Sequence, residues 1–187
     1  MTYASDFAAA IERTRRLGLG DVPFKPVTQR LLTPEAIEEL GKVVQAQFQG
    51  LDPKVWTEHC FVIHNAVAQS AAAVLNAPTY LTVGDVQVSG QWVYGADEDR
   101  IAELAKAGEQ DGNLVALHAW ITLPSMEIMD LTLATSIGIQ ENMPELIGSA
   151  ILKHCDELSQ GLAYRPLVVG TRFLTRIGAL LDQDAEE

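Results

Sequence analysis

Apolar residues recur at helical spacing as far as Leu75 and then switch to strand-like alternation, and this change of period divides the chain. Residues 4 to 17 predict a short amphipathic helix starting at Ser5 or Asp6, broken by Gly18-Leu19-Gly20 and by Pro23 and Pro26. Thr33-Pro34-Glu35-Ala36 carries a capping threonine and a first-turn proline, so a second helix starts there. Leu40, Val43, Val44 and Phe48 continue it, and Gly50-Leu51-Asp52-Pro53 closes it. From Cys60 to Leu75 the chain is apolar and rich in alanine, which predicts a buried helix.

Beyond Pro78 the segment 79 to 94 mixes β-branched and aromatic residues and predicts one or two strands. A short helix at about 98 to 107 precedes a turn at Asp111-Gly112. Residues 113 to 123 then read as a central strand, turned at Pro124-Ser125 into an antiparallel neighbour over 126 to 132. A turn centred near residue 124 pairs positions whose numbers sum to about 248, which brings residues 118 and 130 face to face. Residues 142 to 158, with Pro144 near the start, predict a further helix, and residues 164 to 170 a strand that Pro166 assigns to an edge. The fold class is α+β, a mostly antiparallel sheet with helices on one face.

Composition narrows the functions. The chain has 187 residues, 48% of them hydrophobic, enough for one domain with a sizeable core. Within it residues 1–50 form a helical N-terminal segment, about 54–170 the core, and 182–187 an acidic tail. Thirteen basic against 25 acidic residues leave a net charge of -12, which opposes phosphate-driven nucleic-acid binding and anionic membrane surfaces. Two cysteines, Cys60 and Cys155, are too few for a disulfide scaffold and read as thiols. With neither a signal peptide nor a long apolar span in the sequence, a cytoplasmic location is the expectation. The glycines at 18 and 20, 84 and 170 lack the rest of a phosphate-binding or dinucleotide-binding pattern, and no cofactor is expected.

Three residues carry candidate chemistry. A thiol is mostly protonated at neutral pH, and a helix N-terminus and a nearby imidazolium both favour the thiolate; Cys60 stands at such a helix start. His118 can take up a proton and deliver one to a leaving group, because imidazole titrates near neutrality. Asp130 can accept from the far ring nitrogen and hold the useful tautomer. Each also has a plain structural role: Cys60 as a small buried apolar residue, His118 as a hydrogen-bonded strand residue, Asp130 as a turn or cap former.

Cys60 opening an apolar helix, followed by His118-Ala119-Trp120 on one strand and Asp130-Leu131-Thr132 on the next, resembles the core of the transglutaminase-like superfamily of papain-like cysteine enzymes. The resemblance covers roughly residues 56 to 132. It implies a helix bearing the nucleophile Cys60 packed on an antiparallel sheet, with His118 as acid and base and Asp130 as its orienting group. It also implies a cysteine hydrolase, peptidase or acyltransferase acting on a peptide, protein or small amide or ester, a cationic one where acidic groups ring the cleft. The stretch Trp56-Thr57-Glu58-His59-Cys60 departs from the family by lacking a glycine near the nucleophile. In such enzymes an upstream glutamine or tryptophan helps to hold the oxyanion, which makes Trp56, Gln45, Gln47 and Gln49 candidate donors or pocket residues. His59 is a candidate electrostatic neighbour.

Two other functions compete. One is a papain-like interaction or structural module without turnover. The other is zinc binding through Cys60 and His64, four residues apart on one helical face, completed by His59 or His118. No zinc motif supports the second, so no residue is assigned as a metal ligand. Cys155, preceded by His154, reads as structural.

Overall fold

A computed structural model describes residues 2–109 and 116–181; the expected turn at Asp111-Gly112 and the acidic tail lie outside them. The described chain contains six α-helices, α1 Tyr3–Arg16, α2 Pro34–Gln47, α3 Cys60–Leu75, α4 Glu98–Ala107, α5 Leu133–Gln140 and α6 Arg172–Arg176. Its six strands are β1 Tyr80–Val88, β2 Gln91–Trp92, β3 His118–Thr122, β4 Glu127–Asp130, β5 Ile151–His154 and β6 Ala163–Val169. The class is α+β, as expected, with helices packed on mostly antiparallel strands. The residues divide into two compact units, each assembled from separated stretches of chain, and the division passes through β3 between His118 and Ala119.

The first unit comprises the residues up to Pro23, Thr82–His118 and those from Ser159 onward. Thr2 caps α1 in a reciprocal box with Ser5, satisfying amides that the helix start leaves without partners. The helix is held to β6 by Thr14, whose hydroxyl oxygen accepts the Val169 N–H at 2.9 Å, and by Arg13, whose guanidinium donates to the Leu167 carbonyl at 2.6 Å. Strands β1 and β2 form a hairpin across Ser89-Gly90, both with positive φ, the conformation that matches strand twist in a two-residue loop. Strand β6 pairs antiparallel with β1, and Pro166, which has no N–H to donate, sits opposite Gly84 where the register shifts.

Asp85 is the polar centre of this unit. Fully buried, it accepts from the backbone N–H groups of Val86, Tyr94 and Ala96 at 2.8, 3.0 and 3.0 Å and pairs with Arg165 at 3.1 Å. The Arg165 guanidinium also lies 4.3 Å from the Trp92 ring centre. Removing the carboxylate strands three amides and a partly buried cation. Asp85→Ala is therefore expected to destabilise the protein by about 3–5 kcal/mol, the span for breaking a buried pair. Urea unfolding checks this, and a loss below about 1 kcal/mol would refute the assigned role.

The second unit comprises Phe24–Leu81 and Ala119–Leu158. In α3, Cys60, Ile63, His64, Val67, Ala71 and Leu75 form one buried stripe at helical spacing. The helix expected to be buried throughout is thus buried along one face, while Val62 is half exposed. Ile63, Val67, Ala71 and Leu75 pack with Leu40 of α2 and with Ile121, Leu123, Met129 and Leu131. The helix that bears Cys60 accordingly rests on the odd-numbered face of β3 and β4. Glu127, buried in β4, accepts from the Leu31 and Leu32 amides at 2.7 and 3.2 Å and pins the segment before α2 to the strand.

Two expectations need correction here. The β3–β4 register pairs Ile121 with Met129 and Thr122 with Ile128, so partners sum to 250 rather than about 248. Residues 142 to 158 do not form a helix: a 3-10 turn at Pro144–Leu146 leads into β5, which pairs along β4 from Glu127↔His154 to Asp130↔Ile151. The helix of that region is α5, which lies earlier. Four residues of β5 are too few to show a period, and their strand character comes from a paired neighbour.

Candidate functional site

Cys60 is the first residue of α3, with a relative exposure of 8%, and exposed His59 precedes it as the cap residue without a side-chain capping bond. The cysteine's carbonyl oxygen lies 2.7 Å from Nδ1 of His64 one turn later, and the Leu131 N–H donates to His64 Nε2 at 2.9 Å. An Nε2 that accepts an amide leaves the ring proton on Nδ1, so His64 is a neutral imidazole donating to the Cys60 carbonyl. Both ring nitrogens are engaged by the backbone. A cation at His64 would have to displace the Leu131 amide inside a fully buried tie between α3 and β4, which argues against the zinc site built on Cys60 and His64. His64 instead ties the start of α3 to the end of β4.

Asp130 is fully buried at that strand end. Its Oδ1 accepts the Thr132 and Leu133 N–H groups at 3.0 Å each and lies 3.4 Å from the Thr132 hydroxyl, so it caps the turn that opens α5. The same oxygen is 3.6 Å from His64 Nε2, whose lone pair is already taken by Leu131, and the pair is not ionic. His118, with a relative exposure of 1%, belongs to the first unit and stacks on Tyr94 with ring centres 5.7 Å apart and planes 6° from parallel. Continuing the β3–β4 register places Trp120 opposite Asp130.

The remaining candidates separate. Trp56, Gln45 and Gln49 line one cavity of ≈ 620 Å³ in the second unit, whereas Gln47 turns away and donates to the Ala66 carbonyl at 2.9 Å, joining α2 to α3. Trp56 has a buried indole Nε1 with no hydrogen-bond partner. Sequence reasoning missed Tyr94, the stacking partner of His118, and the structural tie made by His64. A helical position four residues after Cys60 was the available signal for the latter.

A second group of chemically competent side chains was set aside on sequence grounds. His154, Cys155 and Asp156 stand at the end of β5 with their donor atoms mutually within 4.8 Å. His154 Nδ1 lies 3.9 Å from Cys155 Sγ and 3.5 Å from Asp156 Oδ2, the thiol is 3.6 Å from Asp156 Oδ1, and the Asp156 N–H donates to His154 Nδ1 at 3.2 Å. Desolvation, reinforced by the negative charge of Asp156, pushes the Cys155 thiol from 9.0 up to about 11. Cys155 is thus protonated at neutral pH and is a poor nucleophile. Iodoacetamide at pH 8 is expected to alkylate it about a hundredfold more slowly in the folded than in the unfolded protein, with the rate climbing tenfold per pH unit toward about 11. Peptide mass mapping checks this; equal rates would refute it. The folded state holds this proton more tightly, so between pH 9 and about 11 Cys155 makes stability fall as pH rises.

Comparison with protein-family models, with curated proteins and with solved structures found no match. Helices on mostly antiparallel strands together with a His–Cys–Asp cluster are consistent with a papain-like architecture in the generic sense. Among the described residues no helix is long and apolar enough to cross a membrane.

Proposed function

We propose that this chain is a papain-like binding module that holds a divalent transition metal of the zinc class at His154, Cys155 and Asp156. One observation carries the reading: one donor atom from each of the three residues lies within 4.8 Å of the other two. Ligands at about 2.0–2.3 Å around a tetrahedral zinc stand about 3.3–3.6 Å from one another, so side-chain rotations that move donors by up to about 1 Å close the site. Thiolate and carboxylate together balance the charge of the cation. On binding, the metal replaces the Asp156 N–H at the His154 lone pair and releases the Cys155 proton. The tail of the His–Cys–Asp run is solvent-exposed, which leaves a coordination position for water or a ligand. Cobalt(II) titration tests the proposal. One equivalent is expected to bring up thiolate-to-metal charge-transfer absorption, with affinity rising about tenfold per pH unit between about 7 and 9. Cys155→Ser should remove the band and Asp156→Asn weaken binding at least tenfold; an unchanged titration in both would end the reading.

A second reading, acyl transfer or amide hydrolysis through a thioester on Cys60, is favoured by a different observation. The unpartnered indole N–H of Trp56 precedes by four residues a cysteine that opens a helix of 16 residues. An oxyanion needs donors not already committed elsewhere; Trp56 Nε1 is uncommitted, and the indole must turn to expose it. In this reading Cys60 attacks the carbonyl, His118 protonates the departing group, Asp130 orients His118, and water or an amine resolves the thioester. The transglutaminase-like resemblance of residues 56 to 132 supports the same roles, and the substrate is a peptide, protein or small amide or ester. Both cysteines are free thiols, which suits a reducing compartment and is the ground for placing the protein in the cytoplasm. Its test is whether Cys60 labels singly and depends on His118.

A further inference from the structure

The imidazole of His64 is bonded to Cys60 and to the neighbour of Asp130, two residues that the thioester reading needs held in place. Cys60 is the first residue of α3, and helix ends fray where no side chain caps them. His59, in the cap position, provides no such bond. His64 acts from one turn inside the helix, its Nδ1–H donating to the Cys60 carbonyl at 2.7 Å. Through Nε2 the same ring accepts the Leu131 N–H at 2.9 Å, and Leu131 follows Asp130 in the chain. All four residues lie in the second unit.

The surroundings of the ring make both bonds count. His64 and Asp130 are fully buried, and Cys60 and Leu131 are buried as well. In such a dry setting a lost bond strands a polar group without water to replace its partner. The Leu131 amide also fixes the tautomer: an Nε2 that accepts has no proton to give to Asp130 Oδ1, 3.6 Å away. His64 therefore leaves the carboxylate charge intact, and in the thioester reading that charge serves His118.

We propose that His64 is a positioning residue for Cys60, holding the thiol-bearing first turn of α3 to the strand end that carries Asp130. The role rests on the thioester reading and acts through the Cys60 carbonyl, away from the reacting sulfur.

Two substitutions separate the bonds of the ring. An asparagine amide reaches the Nδ1 position, so His64→Asn keeps a donor for the Cys60 carbonyl; a glutamine amide reaches the Nε2 position, so His64→Gln keeps an acceptor for Leu131. Each variant loses one of two buried bonds, and their thermal midpoints should fall together. Labelling of Cys60 by iodoacetamide, followed by peptide mass mapping, is expected to slow at least about tenfold in His64→Gln and to stay within about threefold of the parent in His64→Asn, since a displacement of about 1 Å costs up to 10²-fold in rate. A tie that only stabilises the fold predicts the opposite sign, because fraying of α3 uncovers the buried thiol and speeds its labelling. A His64→Gln rate at or above the parental one, or equal slowing in both variants, would overturn the role, while slow labelling of His118→Ala in the same assay would keep the thioester reading. A parental rate in His118→Ala ends that reading and this role with it. In the unsubstituted protein a long-range nitrogen–proton spectrum should show His64 neutral with its proton on Nδ1; a proton on Nε2 would overturn the role without recourse to any variant.

Discussion

His118→Ala is expected to slow the reaction of Cys60 with iodoacetamide at pH 7 by roughly 10²–10⁴-fold, the span contributed by a positioned acid–base group. The expectation belongs to the thioester reading, in which the imidazole takes the thiol proton and the positive end of α3 supports the thiolate. Two features make the experiment discriminating. Cys155 is held protonated by burial and by Asp156, so it contributes little label at this pH, and a Cys155→Ala background removes the rest. Cys60 is buried but not sealed, so a small electrophile is the right probe. Intact mass against time should show one adduct, absent in Cys60→Ala. If the rate in His118→Ala matches the parent, or label accumulates first on Cys155, Cys60 is a packing residue and the binding-module reading stands alone.

Asp130→Asn should lower the same rate by roughly 10²–10⁴-fold while changing the midpoint of thermal unfolding by only a few degrees. The carboxylate has two separable duties. Its Oδ1 caps the turn into α5 through the Thr132 and Leu133 amides, and asparagine retains an oxygen that can accept both. What asparagine loses is the charge that would hold the His118 tautomer and stabilise the imidazolium. Asp130→Ala removes both duties, and the two stranded buried amides should cost about 1–3 kcal/mol each. The comparison separates the roles: Asn slow and stable with Ala unstable supports the orienting role. If Asn reacts at the parental rate, Asp130 is a cap and nothing more.

How much was legible in the chain follows from the range of the forces involved. Thr33 with Pro34 is a signal within four residues and α2 begins where it stands, whereas α1 begins at Tyr3, ahead of the expected Ser5 or Asp6, because Thr2 caps it in a box with Ser5. The stripe from Cys60 to Leu75 needs only helical spacing, and α3 starts at Cys60. Side-chain alternation is likewise local, and the shift of register between β3 and β4 leaves it unchanged. The register itself was not legible. It depends on the Leu123–Glu127 turn, where the Leu123 N–H donates to the Glu127 carbonyl and Met126 adopts a positive φ.

Sequence alone determined the α+β class, the first three helices, the hairpin of β3 with β4 and the placement of Cys60 at a helix start, because propensity, capping and periodicity act over one or two turns of chain. Tertiary structure decided the rest. Ile151–His154 became a strand by pairing with β4, a partner some twenty-five positions earlier. His64 became a neutral tie through the Leu131 amide 67 positions away, and Glu127 found its partners at Leu31 and Leu32, 96 and 95 positions away. Cys155 lost its reactivity first through burial, to which its neighbour Asp156 adds. The cavity under α2 exists only where separate segments leave a gap that none of them fills. Desolvation, strand pairing and empty volume are properties of what surrounds a residue in space, and a linear pattern carries them only where those surroundings are also its neighbours in sequence.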